Sequence, residues 1–436
     1  MPIDNPASRI RLTGRTLTFT GDLRDDADAY RYTEKGSILI EDGKIVWTGQ
    51  AGEEPATLLA GVEHHEYGKN LILPGFVDGH LHYPQIGVIA SFGTQLLDWL
   101  ETYTFPEEAR FADQKYAAET AKLFLDLLLS NGTTTAAVFC TVHPQSADAF
   151  FEECSARNLC MIAGKILMDR NAPDTVTDTA QSGYEDTKAL IEKWHGTGRN
   201  LYAVTPRFAP TSTPEQLQVC GSLMSEFPSV YLQSHLSENT DEVRWVSDLF
   251  PEARSYQDVY ARYGMLGPRS LYGHAIHMDE VDLAQAAETG TKLVHCPTSN
   301  LFIGSGLFRM KETWDANVDV LLGSDVGGGT SLSPFATMKA AYEIAQFSGY
   351  SLTPEQAFWL STTGGAEALS LGDRIGRLEK GYEADLVVLD SRSTDIIRQR
   401  TDRAENLREE LFALMILADE RAVRATYAAG CRVHGT

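Results

Sequence analysis

The feature that most constrains the fold is a regular alternation in the middle of the chain, where eight short apolar runs are separated by segments of helical character. The runs are FVDGHLH (76–82), TTTAAVF (133–139), MIAGKILMD (161–169), LYAVTPRF (201–208), VYLQSHLSE (230–238), SLYGHAIHM (270–278), KLVHCPTSN (292–300) and VDVLLGSD (318–325). Strands that alternate with helices pair in parallel within one sheet. Eight such units over about 300 residues match a (β/α)₈ barrel. We therefore predict an α/β fold with a TIM-like barrel over residues 73–372.

Two of the intervening segments carry clear helix signals. Residues 107–130 place an apolar stripe on one helical face and end at Asn131-Gly132, which is a typical C-terminal stop. In 333–347, Ser333 is a candidate N-cap and Pro334 takes the first helical position.

The two ends of the chain have β character instead. Residues 8–72 alternate polar and apolar side chains, and Asp42-Gly43 between two such runs predicts a hairpin. The same pattern returns after residue 372, in GRLEKGYEADLVVLD and RATYAAGCRVHGT. We expect residues 1–72 and 373–436 to form one composite β-sandwich domain, so that the barrel is inserted into it.

Composition excludes several classes of partner. The net charge of −23 and the pI of about 4.9 disfavour binding to nucleic acid or to an anionic membrane surface. The six cysteines include no C-x-x-C pair and are expected to be free thiols in a reducing compartment. The N-terminus has no apolar signal region, and no apolar run reaches the roughly 20 residues of a membrane span. We expect a cytoplasmic protein.

Five side chains with metal-binding chemistry stand where predicted strands end: His80, His82, His235, His274 and Asp325. In a (β/α)₈ barrel the C-terminal ends of the strands carry the active site, so these groups should converge. His80 and His82 are two residues apart and leave the same side of their strand. Imidazoles with one carboxylate suit zinc or iron(II), and the residues alone do not decide between the two metals. They also leave open whether His274 binds the metal or holds the attacking water.

A single metal ion is favoured over a pair. A binuclear site needs a bridging residue at the end of the fourth strand, and TPRFAP has neither lysine nor a carboxylate there. Lys165 lies on the third predicted strand and is interpreted as a structural or pocket lysine.

Glu238 is the candidate proton shuttle. A bound metal lowers the pKa of its water from 15.7 to roughly 7, which provides hydroxide at neutral pH. Glu238 follows His235 by three residues, so it is expected beside the metal, where it can donate to a ring nitrogen and carry the water proton to a departing amine. Asp325 can accept a hydrogen bond from the water while it binds the metal, and His274 can polarise that water.

The segments PGFVDGHLH, SHLSE, GHAIHM, HCPTSN and GSDVGGG, followed by GRLEKGYEADLVVLD, resemble the amidohydrolase superfamily over nearly the whole chain. Within it, PGFVDGHLHYPQ, TPRFAPTS and SHLSEN are most similar to the guanine deaminase family. The resemblance implies a barrel of the metal-dependent hydrolase type, one zinc ion per subunit, a homodimer, and hydrolysis of guanine to xanthine and ammonia.

The same resemblance assigns roles to individual residues. Three histidines and an aspartate resemble the zinc ligands, Glu238 the proton shuttle and His274 an additional catalytic histidine; the ligands are His80, His82, His235 and Asp325. The residues expected to contact the purine are His82, Gln85, Trp99, Arg207, Phe208 and Glu238.

The chemistry of guanine agrees with this assignment. Arg207 can donate to O6, Gln85 can donate and accept at the ring edge, and Phe208 or Trp99 can stack on the ring. A site built to bond this carbonyl disfavours adenine, because its buried donors would be left unpaired.

Three alternatives remain open. The first is another deaminase or hydrolase of the same superfamily, acting on a triazine, cytosine or an adenosine-like substrate; guanine requires both Gln85 and Arg207. The second is a metal-free scaffold protein of the same fold, which the filled ligand positions argue against. The third, hydrolysis of a cyclic amide, is disfavoured by the missing bridging residue on strand four.

Overall fold

Two sheets organise the protein, and the computed structural model describes it over residues 9–92 and 95–435. In chain order the strands are β1 (Arg9–Phe19), β2 (Tyr30–Glu41), β3 (Lys44–Gln50), β4 (Glu63–Pro74), β5 (Phe76–His82), β6 (Thr133–Phe139), β7 (Cys160–Gly164), β8 (Ile166–Leu167), β9 (Leu201–Pro206), β10 (Tyr231–Leu236), β11 (Ser270–His274), β12 (Lys292–His295), β13 (Val320–Leu322), β14 (Leu386–Leu389), β15 (Val423–Ala428) and β16 (Cys431–Gly435).

Helices fill most of the connections. They are α1 (Ala56–Leu59), α2 (Leu96–Trp99), α3 (Phe105–Ala109), α4 (Gln114–Ser130), α5 (Pro144–Ala156), α6 (Ala180–Trp194), α7 (Pro214–Glu226), α8 (Thr240–Leu249), α9 (Tyr256–Arg262), α10 (Glu280–Thr289), α11 (Pro297–Phe302), α12 (Met310–Asp315), α13 (Pro334–Phe347), α14 (Pro354–Leu360), α15 (Thr363–Ala368), α16 (Asp395–Thr401) and α17 (Leu407–Leu417). A π-helical turn at Leu100–Thr104 joins α2 to α3. Among the described residues, no helix is both long and apolar enough to span a bilayer.

The larger sheet is the predicted barrel. Its parallel strands run in the order β5-β6-β7-β9-β10-β11-β12-β13, and β8 pairs with β9. Closure comes from the ends of the first and last strands: the Asp325 N–H donates to the His80 carbonyl at 2.8 Å, and the His82 N–H donates to the Val326 carbonyl at 2.8 Å. The predicted fold class is therefore confirmed, and the closing hydrogen bonds place the His80–His82 segment beside Asp325.

The third predicted run is divided into two strands at Lys165. The Lys165 N–H donates to the Tyr202 hydroxyl at 3.2 Å instead of joining a strand ladder. Its neighbour Gly164 lies so close to β9 that an added Cβ would be 1.8 Å from the Ala203 carbonyl oxygen. The strand therefore breaks where the backbones approach most closely.

The smaller sheet takes strands from both chain ends, in the order β16-β15-β14-β4-β1-β2-β3. The predicted hairpin turn is present, with Asp42 and Gly43 at φ 50° and 78°. The Ala384 N–H donates to the Gly43 carbonyl and the Ile45 N–H to the Tyr382 carbonyl, each at 2.8 Å. This sheet therefore curls back towards residues 382–384, and the predicted sandwich takes the form of one curled sheet.

One face of this curled sheet packs on the barrel helices, and the other encloses its own apolar cluster. The enclosed residues include Ile10, Leu12, Ile38, Ile40, Ile45, Ile72, Leu386, Val388 and Tyr427. The division of the chain at residues 72 and 372 into domains stays a prediction.

The prediction of one helix over 107–130 was wrong at the N-terminal end. Helix α4 begins at Gln114, because the Asp113 side chain accepts hydrogen bonds from the Lys115 and Tyr116 N–H groups. Residues 107–109 belong instead to α3. The C-terminal stop is confirmed, with Gly132 at φ 83°. For α13 the start at Pro334 is confirmed, but the side chain of Ser333 makes no capping hydrogen bond.

Candidate active site

Three histidines and an aspartate converge at the C-terminal mouth of the barrel. His80 and His82 end β5, His235 lies on β10 and Asp325 follows β13; their ligand atoms all lie within 4.8 Å of one another. Nε2 of His82 is 3.2 Å from Nε2 of His235. Oδ1 of Asp325 is 3.4 Å from Nε2 of both His80 and His82. The four residues predicted as metal ligands therefore lie in one cluster.

The hydrogen bonds of this cluster fit a divalent cation. Nδ1 of His235 is 2.7 Å from the Arg207 carbonyl oxygen, which can only accept, so Nε2 presents its lone pair to the cluster. Nε2 of His80 is buried without a hydrogen-bond partner among the described residues. A bound cation would satisfy both nitrogens, and imidazoles with a carboxylate are typical zinc ligands.

Burial also keeps these groups in their ligand forms. It lowers the pKa of His82 to about 3 and that of His235 well below its usual value, so both imidazoles are neutral. Burial opposes ionisation of Asp325, but the adjacent His80 and His82 side chains hold the pKa of its carboxyl well below the usual range. Neutral imidazole and ionised carboxylate are the forms that bind a metal.

Glycine on a neighbouring strand makes room for His80. An added Cβ at Gly273, on β11, would lie 2.6 Å from Cε1 of the His80 ring. Gly323, which follows β13, is similarly close, because a Cβ there would be 2.9 Å from Cβ of His80. The glycines of SLYGH and VLLGSD therefore allow the imidazole to sit close to the backbones around it.

Glu238 and His274 lie beside the ligand cluster. Nε2 of His274 is 3.5 Å from Oε2 of Glu238 and 3.6 Å from Oδ2 of Asp325. Nδ1 of His274 is 2.8 Å from Oδ1 of Asn300, so its N–H donates there and Nε2 carries a lone pair. The Ser305 hydroxyl donates to Oε1 of Glu238 at 2.9 Å. Burial, together with the Asp325 carboxylate, raises the pKa of Glu238 to about 8.

The backbone at these positions is unusual. Ser237, His274 and Asp325 have φ values of 48°, 69° and 50°, in the left-handed region that non-glycine residues rarely adopt. Such conformations cost on the order of 1–3 kcal/mol each and cluster at functional sites. Here they occur directly before Glu238, at His274 and at Asp325 of the cluster.

A cavity opens over the cluster. It is lined by His82, Gln85, Leu96, Trp99, Leu100, Arg207, Phe208, His235, Glu238, Glu242, His274, Ile303, Asp325 and Gly328. Every residue predicted to contact the purine is among them.

Part of the cavity wall is supported by a buried polar network that the sequence did not predict. Nη1 of Arg207 donates to both carboxylate oxygens of Glu108 at 2.8 Å, and Nε2 of Gln85 donates to Oε1 of Glu108 at 3.0 Å. All three side chains are buried. Glu108 was missed because FPEEAR offers two adjacent glutamates with no signal to separate them. Asn300 ends the HCPTSN motif, but nothing in the motif assigns it to His274, and Ser305 lies beyond any pattern.

The arrangement favours one metal ion. Lys165, near the barrel mouth, is fully buried and donates from Nζ to Asp178 and to the Ile166 carbonyl, so it is committed to a structural ion pair. A second group with suitable geometry adds His274 and Cys296 but shares His80 and Asp325 with the first. The buried Cys296 thiol instead donates to the Val294 carbonyl oxygen at 3.6 Å.

Known proteins of similar sequence and architecture identify the family. A sequence profile described as "Amidohydrolase family" matches residues 71–433. The guanine deaminase of Escherichia coli K12 is 45% identical over 408 residues, covering 94% of this chain and 93% of that protein.

Two solved structures show the same likeness in three dimensions. The E. coli guanine deaminase structure aligns with a TM-score of 0.95 and 44% identity, covering 98% of this chain and 99% of that one. The guanine deaminase of C. acetobutylicum, with guanine bound in its active site, aligns with a TM-score of 0.88 and 29% identity, covering 98% and 100%. This chain belongs to the amidohydrolase family, where its sequence lies among the guanine deaminases.

Proposed function

We propose that this protein hydrolyses guanine to xanthine and ammonia. The observation that carries the proposal is the pairing, in one cavity, of the His–Asp–Glu238 cluster with a wall built from Gln85 and Arg207. The cluster supplies hydrolytic chemistry, and the wall supplies buried hydrogen-bond groups for a carbonyl-bearing ring. The similarity to proteins named guanine deaminase supports the same reaction.

His80, His82, His235 and Asp325 are the residues that we expect to hold one metal ion per subunit. Zinc is the metal we favour, and iron(II) is the alternative with the same ligand chemistry. When bound, such an ion supplies Lewis acidity that allows water to act as a nucleophile near neutral pH.

Glu238 moves the protons of the reaction. The water oxygen bonds to C2 of guanine, the bond between C2 and the exocyclic amine breaks, and ammonia leaves. Glu238 lies beside the cluster with Oε2 next to Nε2 of His274. There it can take one proton from the water and deliver it to the ring nitrogen, and then take the second proton of the same oxygen and deliver it to the departing amine. His274, held by Asn300, accepts a hydrogen bond from the water and orients it.

The cavity walls orient the purine. Arg207 donates to O6 and Gln85 bonds the ring edge, while Phe208 and Trp99, both buried in the cavity lining, supply flat surfaces for stacking. Adenine lacks the carbonyl and would leave these donors unpaired, so it should be a poor substrate.

We also expect a cytoplasmic homodimer that uses no nucleic acid or membrane partner. The net charge of −23 supports the expectation about partners, because an acidic surface repels phosphate groups. Light scattering on the purified protein tests the oligomeric state: the mass of a dimer agrees with the prediction, and the mass of a monomer contradicts it.

The reaction is tested by incubating the zinc-supplemented protein with guanine, adenine, cytosine and a triazine. Ammonia release and the ultraviolet shift from guanine to xanthine are followed together, and metal content is measured on the same preparation. We expect ammonia from guanine alone, with about one metal ion per chain. Turnover of another base without guanine would refute the substrate assignment. Metal content near zero would favour a scaffold protein.

A further inference from the structure

A fully buried carboxylate, Glu108, joins the two residues expected to bind the guanine carbonyl. We propose that Glu108 is a specificity-determining positioning residue: it holds Arg207 and Gln85 so that the cavity wall presents donors to a neutral carbonyl. The proposal rests on the proposed function, because it assigns Glu108 a role in recognising that substrate. Glu108 itself is absent from the cavity lining, so it acts through its two partners.

The helical segment before α4 fixes the position of Arg207. Phe105 and Glu108 are three residues apart on α3 and therefore share a face. The Phe105 ring centroid lies 5.5 Å from Cζ of Arg207, and the Glu108 carboxylate takes Nη1 of the same guanidinium. This pairing uses only Nη1, so Nε and Nη2 keep N–H groups that can donate to a ligand.

Glu108 also fixes the orientation of the Gln85 side-chain amide. A carboxylate accepts but does not donate, so the amide nitrogen of Gln85 must face it, as the 3.0 Å contact shows. The amide oxygen then accepts from the Gly327 N–H at 3.3 Å. Without the Glu108 carboxylate, the Gln85 amide can rotate by about 180° and place its oxygen where the substrate carbonyl needs a hydrogen-bond donor. The lone pairs of the amide oxygen and of the substrate carbonyl oxygen would then repel each other.

The charge of the wall depends on the same pair. Arg207 is buried, and a buried guanidinium without a counter-charge attracts anions. Glu108 supplies that counter-charge within the protein. The wall therefore suits an uncharged base with a carbonyl and not a carboxylate or phosphate ligand.

The test compares guanine with 2-aminopurine, which keeps the ring and the C2 amine but lacks the C6 carbonyl. The measured quantity is kcat/KM for guanine divided by kcat/KM for 2-aminopurine. It is determined for the wild type, Glu108→Gln, Glu108→Asp and the control Glu107→Gln. Glu107 is the adjacent glutamate, is also buried, and pairs with Arg110 at 2.9 Å and with Tyr116, away from the cavity wall. Because both substrates are measured on one preparation, loss of folded protein cancels from the ratio.

We expect the wild type and Glu107→Gln to share one ratio, and Glu108→Gln to lower it about tenfold or more, mainly through KM for guanine. Glu108→Asp keeps the charge but is one methylene too short to reach both partners, so it should also lower the ratio. It decides the question if Glu108→Gln does not fold. An unchanged ratio in a folded Glu108 variant overturns the proposal. Absence of guanine turnover in the wild type overturns the proposed function instead.

Discussion

Oε2 of Glu238 lies 3.5 Å from Nε2 of His274, while Oε1 of the same carboxyl accepts a hydrogen bond from Ser305 at 2.9 Å. The two oxygens of Glu238 therefore have different tasks. One is fixed by a neutral hydroxyl donor, and the other faces the nitrogen lone pair of His274 and the ligand cluster. This arrangement suits a residue that must gain and lose a proton without changing its position.

Glu238→Gln should remove most of the activity and leave binding intact. Glutamine has the same shape and can still accept from Ser305, but it cannot carry a proton. We expect kcat for guanine to fall by roughly 10²–10⁴-fold, the range attributed to general acid–base catalysis. Metal content and guanine affinity, measured by equilibrium binding, should stay within about threefold of the wild type. Retained turnover would show that another residue carries the proton.

Arg207→Lys should weaken guanine recognition without disturbing the metal cluster. Lysine keeps the positive charge that the buried Glu108 requires, but it loses the planar fork that can donate to the carbonyl as well. We expect kcat/KM for guanine to fall about 10–100-fold at unchanged metal content. The control is Arg170→Lys, since Arg170 donates to the Ala209 carbonyl at 3.2 Å and is not part of the cavity lining. Equal losses in both variants would contradict a specific role for Arg207.

The barrel and the ligand cluster were predictable because both depend on local sequence order. Apolar runs and the polar residues that end them lie next to each other in the chain, and parallel strands bring all those ends to one edge. His80, His82, His235 and Asp325 therefore converge in the structure as the strand ends predict.

The residues that hold these predicted groups in place, Glu108 and Ser305 among them, depend on tertiary placement and could not be predicted. Glu107 and Glu108 carry the same local signal, but in the structure Glu108 meets Arg207 while Glu107 pairs with Arg110. Ser305 likewise meets Glu238 only because the loop after α11 folds back over the mouth.

Glu54, beside the smaller sheet, should contribute to stability in a pH-dependent way. Its carboxylate accepts hydrogen bonds from Arg11 and, at 2.7 Å, from the Gly52 N–H. Burial alone would raise its pKa, but hydrogen bonds from Ser37, backbone N–H groups and Arg11 lower it to about 2. A folded pKa below the unfolded value of 4.5 stabilises the protein above pH 4.5, and the effect is lost as the pH falls towards 2.

Glu54→Gln should therefore lower the free energy of unfolding by about 1–2 kcal/mol at pH 7, and this difference should shrink by roughly half at pH 3. Denaturant unfolding of both proteins across this range provides the measurement. Glu53→Gln is the matched control, because Glu53 is adjacent and exposed. A difference that stays constant with pH would mean that Glu54 contributes through packing and not through its charge.

Gly273→Ala should impair metal binding by displacing the His80 ring. The new Cβ would lie 2.6 Å from Cε1 of His80, so the imidazole must move away from the other ligands. Displacement of one ligand should lower metal affinity by about 10–100-fold, measured by competition with a chelator. The control is Gly267→Ala, where the nearest atom to an added Cβ is Oγ of Ser270 at 3.9 Å. If Gly273→Ala retains full affinity, His80 either tolerates the shift or does not bind the metal. Zinc analysis of His80→Ala separates these two explanations, because removal of a metal ligand lowers the zinc content and removal of another residue does not.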